Sequence, residues 1–70
     1  RGAMSVAKTI EIIADSDIGI EDAVRAGVKK ADSSLEKIRG VWVKDIEANV
    51  TDGEVTGWRV RMMLTFELKS

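Results

Sequence analysis

The chain has 70 residues, of which 44% are hydrophobic, 33% charged and only 4% aromatic, a composition that suits one small globular domain and excludes two. Cysteine and histidine are absent, which excludes disulfide staples, thiolate or imidazole metal sites, and Cys or His as nucleophile or general base. Eleven basic against twelve acidic residues leave a net charge of −1, so no overall field attracts nucleic acid or an anionic membrane, and self-association is the remaining way to stabilise so small a core.

Arg1-Gly2-Ala3 ahead of Met4 reads as the remnant of an expression tag, which leaves residues 4–70 as a single domain. No apolar run approaches the roughly 20 residues that span a bilayer and no signal-peptide stretch opens the chain, so the expected compartment is the cytoplasm. From Val6 to Ala14 side chains alternate and Ile and Val are enriched, which predicts a first strand ending at the polar break Asp15-Ser16-Asp17. From Ile20 the period changes: Ile20, Ala23, Val24, Gly27, Val28, Ala31, Leu35 and Ile38 recur at three- and four-residue steps, the pattern of an amphipathic helix. Gly19 is its expected N-cap, and the order of charges, Glu21 and Asp22 first and Lys29 and Lys30 later, suits the helix dipole. Gly27 within that helix costs about 1 kcal/mol relative to Ala, which implies close approach by strand side chains.

After Gly40, Val41 to Glu47 alternates again, and Thr51-Asp52-Gly53 marks a turn whose Asp-Gly pair supplies positive φ. Val55 to Leu68 has the clearest period of two: Trp58, Val60, Met62, Leu64, Phe66 and Leu68 face one way, Arg59, Arg61, Met63, Thr65 and Glu67 the other. The sum is an α+β domain of βαββ order, a three-stranded antiparallel sheet packed on one amphipathic helix, with the third strand between the first two. The face away from the helix would carry Glu11, Ile13, Trp42, Arg59, Arg61 and Met63, partly too apolar for water, so a partner subunit or a ligand is expected to cover it.

No catalytic constellation emerges. Asp15, Asp17, Glu21 and Asp22 gather where a helix start attracts acidic residues, and the six glycines are too scattered for a phosphate loop. Arg59 and Arg61 are expected to pair with Glu11, Asp45 or Glu47 of a neighbouring subunit, or else to hold a phosphate-bearing ligand. Trp58 shares the register of the core residues, whereas Trp42 is out of phase with Val41 and Val43 and should project from the uncovered face, where it plugs an interface or stacks on a flat ligand.

The first strand Val-Ala-Lys-Thr-Ile-Glu-Ile-Ile, the helix start Ile20-Glu21-Asp22-Ala23, the stretch Ile38-Arg39-Gly40-Val41-Trp42-Val43-Lys44-Asp45 and the ending Arg59 to Leu68 together resemble the dodecins, over essentially the whole chain. The resemblance implies the βαββ fold, assembly into a hollow homododecamer and, in the flavin-binding members, storage of riboflavin- or FMN-type ligands without catalysis. In those members a Trp on the second strand stacks on the flavin ring and a Gln on the third bonds its edge. An ungapped alignment puts Gly40 at the first position and Arg59 at the second, with Trp42 two residues along the same face and Asp45 matching a carboxylate near the ligand. The expected function is therefore that of a non-enzymatic, homododecameric small-ligand binding or storage protein with candidate ligand residues Gly40, Trp42, Asp45 and Arg59 and weak or absent flavin binding. No catalytic or metal-ligating residue, and no nucleic-acid or membrane partner, is expected. The alternative is a purely structural assembly, or a dodecin that holds a cation such as calcium and no flavin.

Overall fold

A computed structural model describes residues 6–35 and 37–68; the proposed tag remnant lies outside them. Strand β1 (Val6–Ser16) is followed by helix α1 (Ile20–Asp32), then by the long hairpin of β2 (Ile38–Thr51) and β3 (Glu54–Leu68). The sheet order is β1-β3-β2 with both pairings antiparallel, the predicted topology, and β3 is central and longest. The hairpin turns on Asp52 (φ 54°) and Gly53 (φ 78°), the two successive positive φ values for which an Asp-Gly pair is suited.

The core lies between α1 and the sheet. Ala23, Val60, Met62 and Leu64 are fully buried, with Ile10, Ile12, Val24, Val28, Ala31 and Val43 packed around them. Gly27 is where the helix and sheet come closest: a Cβ there would sit 3.1 Å from Met62 Cε and 3.2 Å from Ile12 Cδ1, which accounts for a glycine in mid-helix. Trp58 faces the helix side as predicted but is only half-buried, because it pairs with Ser16 and Ala48 near the end of the three-stranded part.

Element boundaries differ from the expectation at the end of β1, at the end of α1 and at both ends of β2. Strand β1 runs on through Asp15 and Ser16, since Asp15 pairs with Arg59 and Ser16 with Trp58 in the β1–β3 ladder. The Ser16 hydroxyl then accepts from the Ile18 and Gly19 amides (2.9 and 3.2 Å) and donates to Asp22 (2.7 Å), so it organises the helix start for which Gly19 has no side chain. Helix α1 stops at Asp32 rather than continuing toward Leu35 and Ile38. The Ser33 and Ser34 hydroxyls bond back to the carbonyls of Lys30 and Ala31, and Lys37, at φ 57°, turns the chain into β2, where Ile38 is a sheet residue opposite Phe66. Strand β2 begins at Ile38 and contains irregularities between Ile38 and Gly40, Val43 and Asp45, and Asn49 and Val50.

The second irregularity matters most for function. With plain alternation, Trp42, Lys44 and Ile46 would share one face and Asp45 would point at the helix. A bulge at Lys44 moves the register by one, so Ile46 returns to the helix side opposite Val60 while Asp45 and Glu47 join Trp42 on the open face.

Candidate functional site

The open face of the sheet is built in rows. Gly40 lies across from Thr65 and Thr9, Trp42 from Met63 and Glu11, Asp45 from Arg61 and Ile13, and Glu47 from Arg59 and Asp15. All four candidate residues, Gly40, Trp42, Asp45 and Arg59, stand on this face. Trp42 is 68% exposed, a high value for so large an apolar side chain. A Cβ built on Gly40 meets no heavy atom within 4 Å, so the backbone there borders open space.

Below Trp42 runs a ladder of ion pairs. Arg61 donates from Nε to Asp45 (3.3 Å) and from Nη1 to Glu11 (3.2 Å), and Lys44 reaches across the sheet to the same Glu11 carboxylate at 3.4 Å. Arg59 donates from Nε and Nη2 to the two oxygens of Asp15 at 2.9 and 3.2 Å, a bidentate fork. At the other end of the sheet Arg39 approaches Glu67 at 3.5 Å. Hydrogen bonds from Arg61, then Lys44, hold the Glu11 carboxyl below the usual glutamate range, and the Arg59 fork does the same for Asp15. The guanidinium groups are shifted upward in turn, Arg59 by its bond to Asp15 and Arg61 by its bond to Glu11.

The arginines pair with carboxylates of their own chain, where the sequence reading looked for partners on a neighbouring subunit. Glu11 and Asp45 are the anticipated partners of Arg61, but Arg59 binds Asp15, assigned from sequence to the helix-start cluster. The parity of Glu11, Ile13 and Asp15 already carried that signal. Of the remaining helix-start carboxylates, Asp22 accepts from Ser16 and Glu21 pairs with Arg25 at 2.7 Å. Among the described residues no group of three or more carboxylates is arranged to hold a metal ion.

Gly40 and Arg59 are not brought together within one chain. Their β3 levels, Thr65 and Arg59, are six residues apart, about 20 Å along the strand. A ligand touching both positions requires two copies of the chain. A groove of about 480 Å³ does exist on the helix side, between α1 and β1, lined by Ile10, Ile12, Gly27, Ala31 and Leu35 among others, but it contains none of the candidate residues.

The chain is thus a small α+β domain of βαββ order with one helix-covered sheet face and one open face bearing an exposed indole. The family profile of the dodecins matches residues 6–69, and the chain belongs to that family of small flavin-binding proteins. Solved dodecins superpose closely. The dodecin of Streptomyces coelicolor is 29% identical with a TM-score of 0.87 over 94% of each chain. That of Streptomyces davaonensis gives 0.89 at 24% identity over 97% of this chain and 100% of its own. A Thermus thermophilus protein gives 0.89 at 25% identity over 96% and 98%. No curated protein matches the sequence significantly.

Proposed function

We propose that this dodecin is a non-enzymatic small-ligand binding or storage protein, acting in the cytoplasm as a homododecamer, with Gly40, Trp42, Asp45 and Arg59 lining its ligand face and with weakened or absent flavin binding. The observation that carries the reading is the exposed Trp42 beside the open space at Gly40 on a sheet face that nothing in the chain covers. Assembly is supported by the exposed Ile13 and Ile46 and by Val50 and Val55 on the hairpin end, which extends past the last β1–β3 pair at Ser16 and Trp58. The separation of Gly40 from Arg59 ties ligand binding to that assembly. Light scattering at micromolar concentration is expected to give a mass near twelve chains; a mass near one chain overturns the assembly.

Weak flavin binding follows from what stands at two positions. Gly40 has no π surface, and Arg59 can donate to a ring carbonyl but cannot accept from a ring N–H. Stacking on an aromatic side chain contributes about 1–3 kcal/mol per flat base, or about 5- to 150-fold in affinity. The double change Gly40→Trp with Arg59→Gln is therefore expected to tighten riboflavin, followed by quenching of its fluorescence, more than either change alone. Strong quenching by the parent protein would show that Trp42 is itself a working platform, and no gain in the double variant would remove the face from consideration as the ligand site. The second reading, a purely structural assembly, is favoured by the saturation of Arg59 and Arg61 within the chain, and it requires that the parent protein bind no flavin.

A further inference from the structure

The groove of about 480 Å³ between α1 and β1 lies on the helix side of the sheet, away from Trp42. Its walls are aliphatic: Ile10, Ile12 and Ala14 of β1, Ala26 and Ala31 of α1, and Leu35 just past the helix. All of these except the exposed Ala26 are half-buried, so the chain leaves the apolar groove partly uncovered. We propose that the groove is a binding site, separate from the open face, for a free medium-chain carboxylate whose alkyl tail lies along Ile10 to Ala14 and whose head meets Lys30.

The walls decide the tail. Among the described residues no aromatic side chain lines the groove, so a flat ring finds no stacking partner there, while Ile, Ala and Leu side chains suit a flexible alkyl chain. Ile10 to Ala14 spans about 13 Å of strand, which sets the length of the tail that can be covered. The polar groups decide the head. The Ser33 and Ser34 hydroxyls, which also line the groove, donate to the Lys30 and Ala31 carbonyls at 2.6 and 3.4 Å. The same carbonyls accept from the amides of Ser33, Ser34 and Leu35. An alcohol or amine head, which must donate, therefore finds these carbonyls already served. The Lys30 ammonium is the remaining side-chain donor of the groove. Among the described residues no carboxylate pairs with it, whereas Arg25, Arg39, Lys44, Arg59 and Arg61 are each engaged, and no acidic side chain lines the groove. The charge complement of one cation at an apolar groove is one anion on an apolar body.

The test titrates the full chain with decanoate by calorimetry, below the concentration at which decanoate self-associates. Decanoate is expected to bind, and the cation decyltrimethylammonium, with the same tail, to bind about tenfold more weakly or not at all. Ala26→Phe fills the groove from an exposed position and is expected to weaken decanoate about tenfold or more while keeping the unfolding midpoint. Lys30→Gln should weaken it about threefold at low salt and less at high salt. Lys29→Gln, which borders Val24 and Val28 on another flank of the helix, should stay within about twofold of the parent. No binding by the parent, or equal binding by the parent and Ala26→Phe, overturns the site. Equal affinity for the two head groups, or no effect of Lys30→Gln, overturns the carboxylate assignment. A parent that refuses decanoate together with an Ala26→Phe variant of lower mass in light scattering would show a second copy of the chain in the groove and overturns the proposal. Displacement of decanoate by riboflavin would overturn its separation from the open face.

Discussion

Met62 and Met63 are consecutive in β3, yet the first is fully buried beneath Gly27 of the helix and the second lies half-covered between Glu11 and Trp42 on the open face. The same residue type therefore samples the two regions of the molecule with no change of backbone position. Beneath the helix, side chains are held by close packing, and a missing methyl group leaves a cavity. On the open face, side chains are held by charge pairs that water competes for. One face makes the fold; the other is left uncovered by the chain.

The largest effect expected from breaking this comparison comes from truncating the buried member. Met62→Ala, like Leu64→Ala, is expected to cost about 2–5 kcal/mol in denaturant unfolding. Met63→Ala in the dissociated chain should cost less than about 1 kcal/mol, a surface-like value. If assembly buries the open face, Met63→Ala will also weaken the oligomer, and its cost will grow with protein concentration. Equal costs for the two substitutions at a concentration where the chain is monomeric would mean that the sheet faces have been assigned wrongly.

A smaller effect is expected at the hairpin turn. Gly53 holds φ 78° with open space around its Cβ position, so Gly53→Ala meets no steric neighbour and is penalised by its backbone conformation alone. That penalty is about 1–2 kcal/mol. Gly40→Ala is the control: it also borders open space, but outside the positive-φ region, and should be close to neutral. A neutral Gly53→Ala would show that the turn relaxes to another type.

How much of this was legible beforehand depends on what sets each feature. Strand β3 was readable throughout because it is central, and both of its faces impose a strict period of two on fifteen residues. The topology followed from element order and the Asp-Gly turn. The ends of elements were less legible because tertiary partners decide them: Asp15 extends β1 through its fork with Arg59, and Ile38 continues the helical spacing of Leu35 while belonging to the sheet. The bulge at Lys44 left a trace that plain alternation missed. Val41 and Val43 are two apart, but the next helix-side apolar residue, Ile46, follows after three, and only an inserted residue reconciles those spacings. Alternation puts Gly40, Trp42 and Arg59 on the open face, whereas Asp45 reaches it only through the bulge at Lys44, and the identity of Arg59's partner requires the register of two residues 44 positions apart in sequence.

The smallest expected effect separates the open face from the buried one by pH. The folded-state pKa values of Glu11 and Asp15 lie below their ordinary values, because each carboxylate accepts hydrogen bonds from cations that the unfolded chain does not hold in place. A depressed carboxylate contributes stability that is fully present above its unfolded pKa, about 4, and is lost as pH falls through the lower folded value. The partners do not reverse that sign, since Arg59 and Arg61 are shifted upward and stay protonated across the whole window. Thermal unfolding of the parent should therefore be nearly constant from neutral pH down to about pH 5 and decline below it, more so at low salt. Glu11→Gln keeps the shape of the side chain but removes the titrating group that Arg61 and Lys44 share. Its midpoint should lie below the parent's at neutral pH and converge with it in acid, by a modest margin because the ladder is exposed. Parallel profiles for the two proteins, with a constant offset at every pH, would mean that Glu11 acts through packing and that the ion-pair ladder does not stabilise the open face.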